Sequence, residues 1–174
     1  MLRNVSFLIL LFLLTGCNSK YIQESSSQAV SLKIVNKSYT DITLVTYADG
    51  EICKGPEDIE VPMEVRNSQI FNALKPNDKF ELKISPVKRF SLSVSADGSI
   101  YPTISVCTIT TSFYPREKSY YRYTFSWDKY ASVCSVDVTE ITYDSNDMPS
   151  EKKLDDVVVR EHLPSAWNDG AGCK

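Results

Sequence analysis

The chain has 174 residues, 43% of them hydrophobic, with 10 tyrosines, 7 phenylalanines and 2 tryptophans, enough for one domain with its own core. Its 19 basic and 22 acidic residues leave a formal charge of −3, a mixed and mildly acidic balance that argues against nucleic acid as a partner and against a polybasic membrane patch. One histidine and wide, irregular cysteine spacings without a CxxC pair argue against a metal site, and no cofactor is expected.

Arg3 is followed by a short apolar run, Val5 to Leu14, and then by Thr15-Gly16-Cys17. A charged start, an apolar middle and a small-residue exit are the parts of a secretory signal, and this run is too short to cross a bilayer. The residues Leu14-Thr15-Gly16-Cys17 resemble the lipobox of bacterial lipoproteins. That resemblance implies removal of residues 1–16 and a mature chain that starts at a lipidated, acylated Cys17, with palmitate among its acyl chains. The mature chain would keep 18 basic and 22 acidic residues, a charge of −4. In the enterobacterial pattern, Asn18 in place of aspartate implies sorting to the outer membrane, with the domain facing the periplasm.

Residues 17–30 include Gln23-Glu24-Ser25-Ser26-Ser27-Gln28 and read as a polar tether. From residue 31 the period becomes two. Leu32 and Ile34 flank Lys33, Asn36-Lys37-Ser38 reads as a turn, and Ile42, Leu44 and Val45-Thr46-Tyr47 follow. Ala48-Asp49-Gly50 reads as a tight turn and Lys54-Gly55-Pro56 as a break. Ile59 to Val65 alternates around Pro62, which makes it an edge or interrupted strand.

Lys75-Pro76-Asn77-Asp78 precedes a strand through Phe80, Leu82 and Ile84, and a second runs through Phe90, Leu92 and Val94 to the Asp97-Gly98 turn. Between Thr103 and Tyr114, the alternation sets Cys107, Ile109, Thr111 and Phe113 on the core face. Pro115 to Lys118 reads as a hairpin turn. The strongest strand then places Tyr121, Tyr123, Phe125 and Trp127 inward. After the Asp128–Ala131 turn, Cys134, Val136 and Val138 share a face in a strand running toward Ile141 and Tyr143. Ser145 to Pro149 is a loop, and the β-branched run Val157-Val158-Val159 favours a final strand.

With Cys17 taken by lipid, Cys53, Cys107, Cys134 and Cys173 remain, an even number for an exported chain, and two disulfides are expected. Three pairings are possible, and the reading leans to Cys53 with Cys107 and Cys134 with Cys173. About eight short strands and no helical stripe predict an all-β fold. It is a single β-sandwich over residues 31–174, immunoglobulin-like or transthyretin-like, with a disulfide-tied C-terminal tail.

Catalysis is not expected. The lone His162 sits in polar surroundings with no GxSxG, GxxxxGK[ST] or HExxH pattern, and adjacent carboxylates such as Asp155-Asp156 point to opposite faces of a strand. Amphipathic rings left outside the core suit a protein interface. The candidate surface is Tyr114, Tyr120, Arg122 and Tyr130, with Asp97 and Tyr101 on a separate candidate loop. Ala96-Asp97-Gly98-Ser99-Ile100-Tyr101 is similar to the small-Gly-x-Tyr loop of membrane-bound lysozyme inhibitors. The plan of an anchored β-sandwich resembles the lipoprotein of the type VI secretion membrane complex and the lipoprotein immunity proteins. The sequence thus predicts a lipid-anchored module that binds a protein partner in the envelope; the alternative is an inhibitor of lysozyme or of a secreted toxin.

Overall fold

Alternation decides which side of each strand turns inward, and one strand, Tyr120–Trp127, shows it most clearly. Tyr121, Tyr123, Phe125 and Trp127 are buried, while Tyr120, Arg122, Thr124 and Ser126 are exposed or half-buried. Each ring placed inside stabilises the fold by about 1.5–3 kcal/mol relative to leaving it in water.

The computed structural model describes residues 19–59, 73–86, 88–99, 105–128, 130, 133–161 and 173. Among these residues the chain forms β1 (Ser19–Lys20), β2 (Val30–Ser38), β3 (Ile42–Asp49), β4 (Lys54–Asp58), β5 (Ala73–Leu74) and β6 (Lys79–Ile84). It continues with β7 (Phe90–Asp97), β8 (Val106–Phe113), β9 (Tyr120–Trp127), β10 (Ser135–Tyr143), β11 (Pro149–Lys153) and β12 (Val158–Arg160). Sheet A runs β1-β4-β3-β7-β8-β12 with β5 also on β3, and sheet B runs β11-β10-β9-β2-β6. The two pack face to face as a β-sandwich. Leu32, Ile34, Leu82 and Phe125 come from sheet B and Ile42, Leu44, Leu92 and Val94 from sheet A, all buried in one core.

β2 and β9 pair in parallel, Ser31 opposite Tyr120 through Ser38 opposite Trp127. Both therefore begin at the same end of the sandwich, here called the near end; Ser38, Trp127 and Ser135 mark the far end. Tyr123 crosses between the sheets. Its hydroxyl shares a 2.9 Å hydrogen bond with Thr111, and burial pushes the phenol well above its ordinary range, so it stays protonated.

Three local expectations change. Asn36 to Ser38 is not a turn but the end of β2. The fully buried Asn36 amide donates to the carbonyls of Thr40 (2.9 Å) and Leu74 (2.8 Å) and accepts from Ser38 N and Oγ, so the chain turns only after Ser38. Lys54-Gly55-Pro56 belongs to a strand, β4, with Gly55 at φ 65°; Pro56 lies outside the stretch, Glu57 and Asp58, that β1 covers, so its missing N–H breaks no ladder there. Pro115 to Lys118 is not a hairpin turn, because β8 and β9 lie in different sheets. It is a crossover, with Lys118 at φ 61°. Of the alternating segment Ile59 to Val65, only Ile59 is among the described residues; it is buried, and its N–H donates to Leu44 O.

The four cysteines form two disulfides, but Cys53 pairs with Cys173 and Cys107 with Cys134, with Cα–Cα distances of 5.3 and 6.2 Å. This corrects the favoured pairing. Cys53 follows β3 at the near end and Cys107 opens β8 at the far end. An eight-residue strand separates those ends by roughly 26 Å, against the roughly 7 Å limit for a disulfide. The C-terminal tail is tied down, as its cysteine suggested.

Candidate interaction surface

The predicted surface residues fall into three places. Tyr120 and Arg122 stand on the outer face of sheet B. Tyr114 lies at the near end beside sheet A, and Asp97 and Tyr130 are at the far end; Tyr101 lies outside the described residues.

Tyr114 is held rather than offered. The Arg89 guanidinium sits 4.4 Å from its ring centroid, and its hydroxyl donates to the Glu51 carboxylate. Glu51 Oε2 lies 2.9 Å from Arg89 Nε but off the N–H axis, an ion contact that leaves this buried nitrogen without a linear acceptor. Arg89 also donates to Ser112 Oγ (3.1 Å), and Arg160 donates to the Glu51 carbonyl. The cluster fastens the β3–β4 turn to β8 and β12. At the far end, Asp97 accepts from Ser99 N and its carbonyl accepts from Thr40 Oγ1. The hydrogen bonds from Ser99 hold its carboxyl below the usual range. Tyr130 is 89% exposed in the β9–β10 turn.

Tyr120 has a partner that the sequence reading did not single out. Its ring meets Tyr143 edge-to-face, with centroids 5.4 Å apart and planes at 84°, and both rings are about half exposed. Ile141 lies opposite Tyr120 in the β9–β10 register, and Glu151 of β11 lies opposite Ile141. Arg122 reaches across to Glu151 with two hydrogen bonds, 2.9 and 2.7 Å. This fork holds the carboxyl of Glu151 below, and the guanidinium of Arg122 above, their ordinary values. The strand alternation toward Tyr143 carried the signal for the ring pair. Glu151 had none, because all five β11 residues are exposed and show no apolar period.

β11 exists because the preceding turn folds back: Asp144 Oδ1 accepts from the N–H groups of Asn146 (2.8 Å) and Met148 (2.9 Å), with Asp147 at φ 58°.

On its other side Tyr120 borders a cleft of about 360 Å³ lined by Ser27, Gln28, Ser31, Lys83, Glu117 and Lys118. Ser31 donates to Glu81, and Lys83 donates to Ser31 (2.6 Å) and lies 3.3 Å from Glu81. Those contacts, the Ser31 hydroxyl first, lower the Glu81 carboxyl. Lys33 and Lys37 stand exposed farther along the same face. The surface is thus an apolar ring pair with a charged rim. The outer face of sheet A differs. Its hydroxyls bond one another between strands, Tyr47 to Ser93 (2.8 Å), Ser93 to Thr110 and Ser95 to Thr108 (2.9 Å), which leaves fewer groups for a ligand. Among the described residues no group of three or more His, Cys, Asp or Glu is placed to hold a metal ion.

The chain matches no known family model, no curated protein and no solved structure.

Proposed function

We propose that the protein is a lipid-anchored, non-enzymatic binding module of the bacterial outer membrane, facing the periplasm, whose partner is another protein. The observation that carries the binding role is the exposed Tyr120–Tyr143 pair beside the Arg122–Glu151 fork. Two rigid rings with polar tips, next to fixed charges, offer contact area at little cost in side-chain entropy. The anchor rests on the lipobox residues Leu14 to Cys17, which lie outside the described residues.

The test uses photo-crosslinking amino acids placed at Tyr120, Tyr143 or Val159 of the lipidated protein in intact envelopes. A single protein adduct is expected from positions 120 and 143 and none from Val159, which is exposed on sheet A. An adduct from Val159 alone would reject this face. Mass measurement of the purified protein should find lipid on Cys17, and Cys17→Ser should abolish both lipid and membrane retention.

A further inference from the structure

We infer that the sandwich sits edge-on against the bilayer, with Ile22 and the β1–β4 edge at the lipid surface and the Tyr120–Tyr143 pair set back from that edge on the outer face of sheet B. The inference rests on lipidation of Cys17. The polar segment expected to act as a tether is in large part docked. Ser19 and Lys20 pair in parallel with Glu57 and Asp58, forming the edge of sheet A. The next residues cross to sheet B: the Tyr21 hydroxyl donates to Lys83 O (2.8 Å), Glu24 N donates to the same carbonyl (3.2 Å), and Lys83 N donates to Gln23 Oε1 (3.3 Å).

Only Asn18 separates Cys17 from Ser19, so an extended chain places the lipidated residue within about 7 Å of the sheet. A leash that short cannot lift the domain clear of the headgroups. Ile22, between the docked Tyr21 and Gln23, is 86% exposed, an apolar side chain with no cover among the described residues. Lys54, opposite Asp49 in the β3–β4 register, and Lys88, which lines one cleft with Ile22 and Glu24, are exposed near the same edge, so the charge there is mixed and Ile22 is its apolar contact.

The packing sets the far side. The link from β1 to β6 puts those edges together, while Phe113 on Tyr121 sets β8 over β9 (centroids 5.2 Å). β10 with Tyr143 is three strands from β6, roughly 14 Å across the sheet. The ring pair therefore stands off the docked edge, on the outer face of sheet B.

The experiment places a fluorophore on Ile22→Cys or, as control, on Met148→Cys, which is exposed beside β11. Each lipidated full-length protein is reconstituted in vesicles of phosphatidylethanolamine and phosphatidylglycerol that contain a nitroxide-labelled phospholipid. Quenching several-fold stronger at position 22 than at 148 is expected. A flexible spacer of about twenty residues inserted between Asn18 and Ser19 should abolish the difference, because it restores a reach of roughly 25 Å. Equal quenching at the two positions, with lipid on Cys17 verified by mass, would overturn the edge-on seating and leave the anchor standing. No lipid on Cys17 would overturn the anchor itself and this inference with it.

Discussion

The Glu140 carboxylate on β10 accepts a 2.7 Å hydrogen bond from the Ser119 hydroxyl, the last residue of the crossover that carries the chain from sheet A to sheet B. The same carboxylate accepts from the Tyr121 hydroxyl (3.3 Å) and from Arg116 Nη1 (3.1 Å), and Arg116 N donates to the Tyr121 hydroxyl (2.9 Å). One buried acid thus pins a turn that would otherwise have no sheet partner. Glu140→Ala leaves the buried Ser119 and Tyr121 hydroxyls without their acceptor and should cost about 2–3 kcal/mol in urea unfolding. Glu140→Gln, which keeps one acceptor oxygen, should cost less.

Tyr123 and Thr111 test the link between sheets. Tyr123→Phe strands the buried Thr111 hydroxyl and should destabilise by about 1–2 kcal/mol, while adding Thr111→Val should recover part of that loss, since an apolar pair leaves nothing unsatisfied. A double variant no more stable than Tyr123→Phe would mean that the hydrogen bond itself carries the link. Thermal melts of the wild type and the two variants decide it.

Disulfide pairing gives a direct chemical check. Non-reducing peptide mapping should recover Cys53 linked to Cys173 and Cys107 linked to Cys134. From the enclosed loops of 120 and 27 residues, chain entropy assigns about 5 and about 3.5 kcal/mol to the two bridges. The Cys53→Ser/Cys173→Ser variant should therefore lose more stability than Cys107→Ser/Cys134→Ser, measured as unfolding midpoints.

Stability should fall at acid pH. Hydrogen bonding from Ser31 and the neighbouring Lys83 holds the Glu81 carboxyl below its ordinary 4.5, so the folded state takes up that proton less readily than the unfolded chain. The contribution is fully present above pH 4.5 and lost as pH falls through the lower folded value. Glu151, paired with Arg122, has the same sign. The melting temperature should be level through the neutral range and decline gently below pH 4.5, and Glu81→Gln should make that decline shallower.

Much of this fold was legible because a strand's facing depends only on its own alternation. Tyr121, Tyr123, Phe125 and Trp127 could be placed inside, and Tyr120 and Arg122 outside, without knowing any partner strand. The number of bridging cysteines and the all-β class are likewise local or compositional facts. Sheet membership is not local. Whether Pro115 to Lys118 closes a hairpin or crosses between layers depends on which strands lie beside β8 and β9, and these are β7, β12, β2 and β10. The disulfide pairing followed from the same arrangement, since strand direction decides which cysteines share an end. So did the contacts of Tyr120 with Tyr143, Arg122 with Glu151 and Ser19 with Glu57, residues 23, 29 and 38 positions apart. Periodicity along one strand says which way a side chain points, and only packing between strands says what it meets.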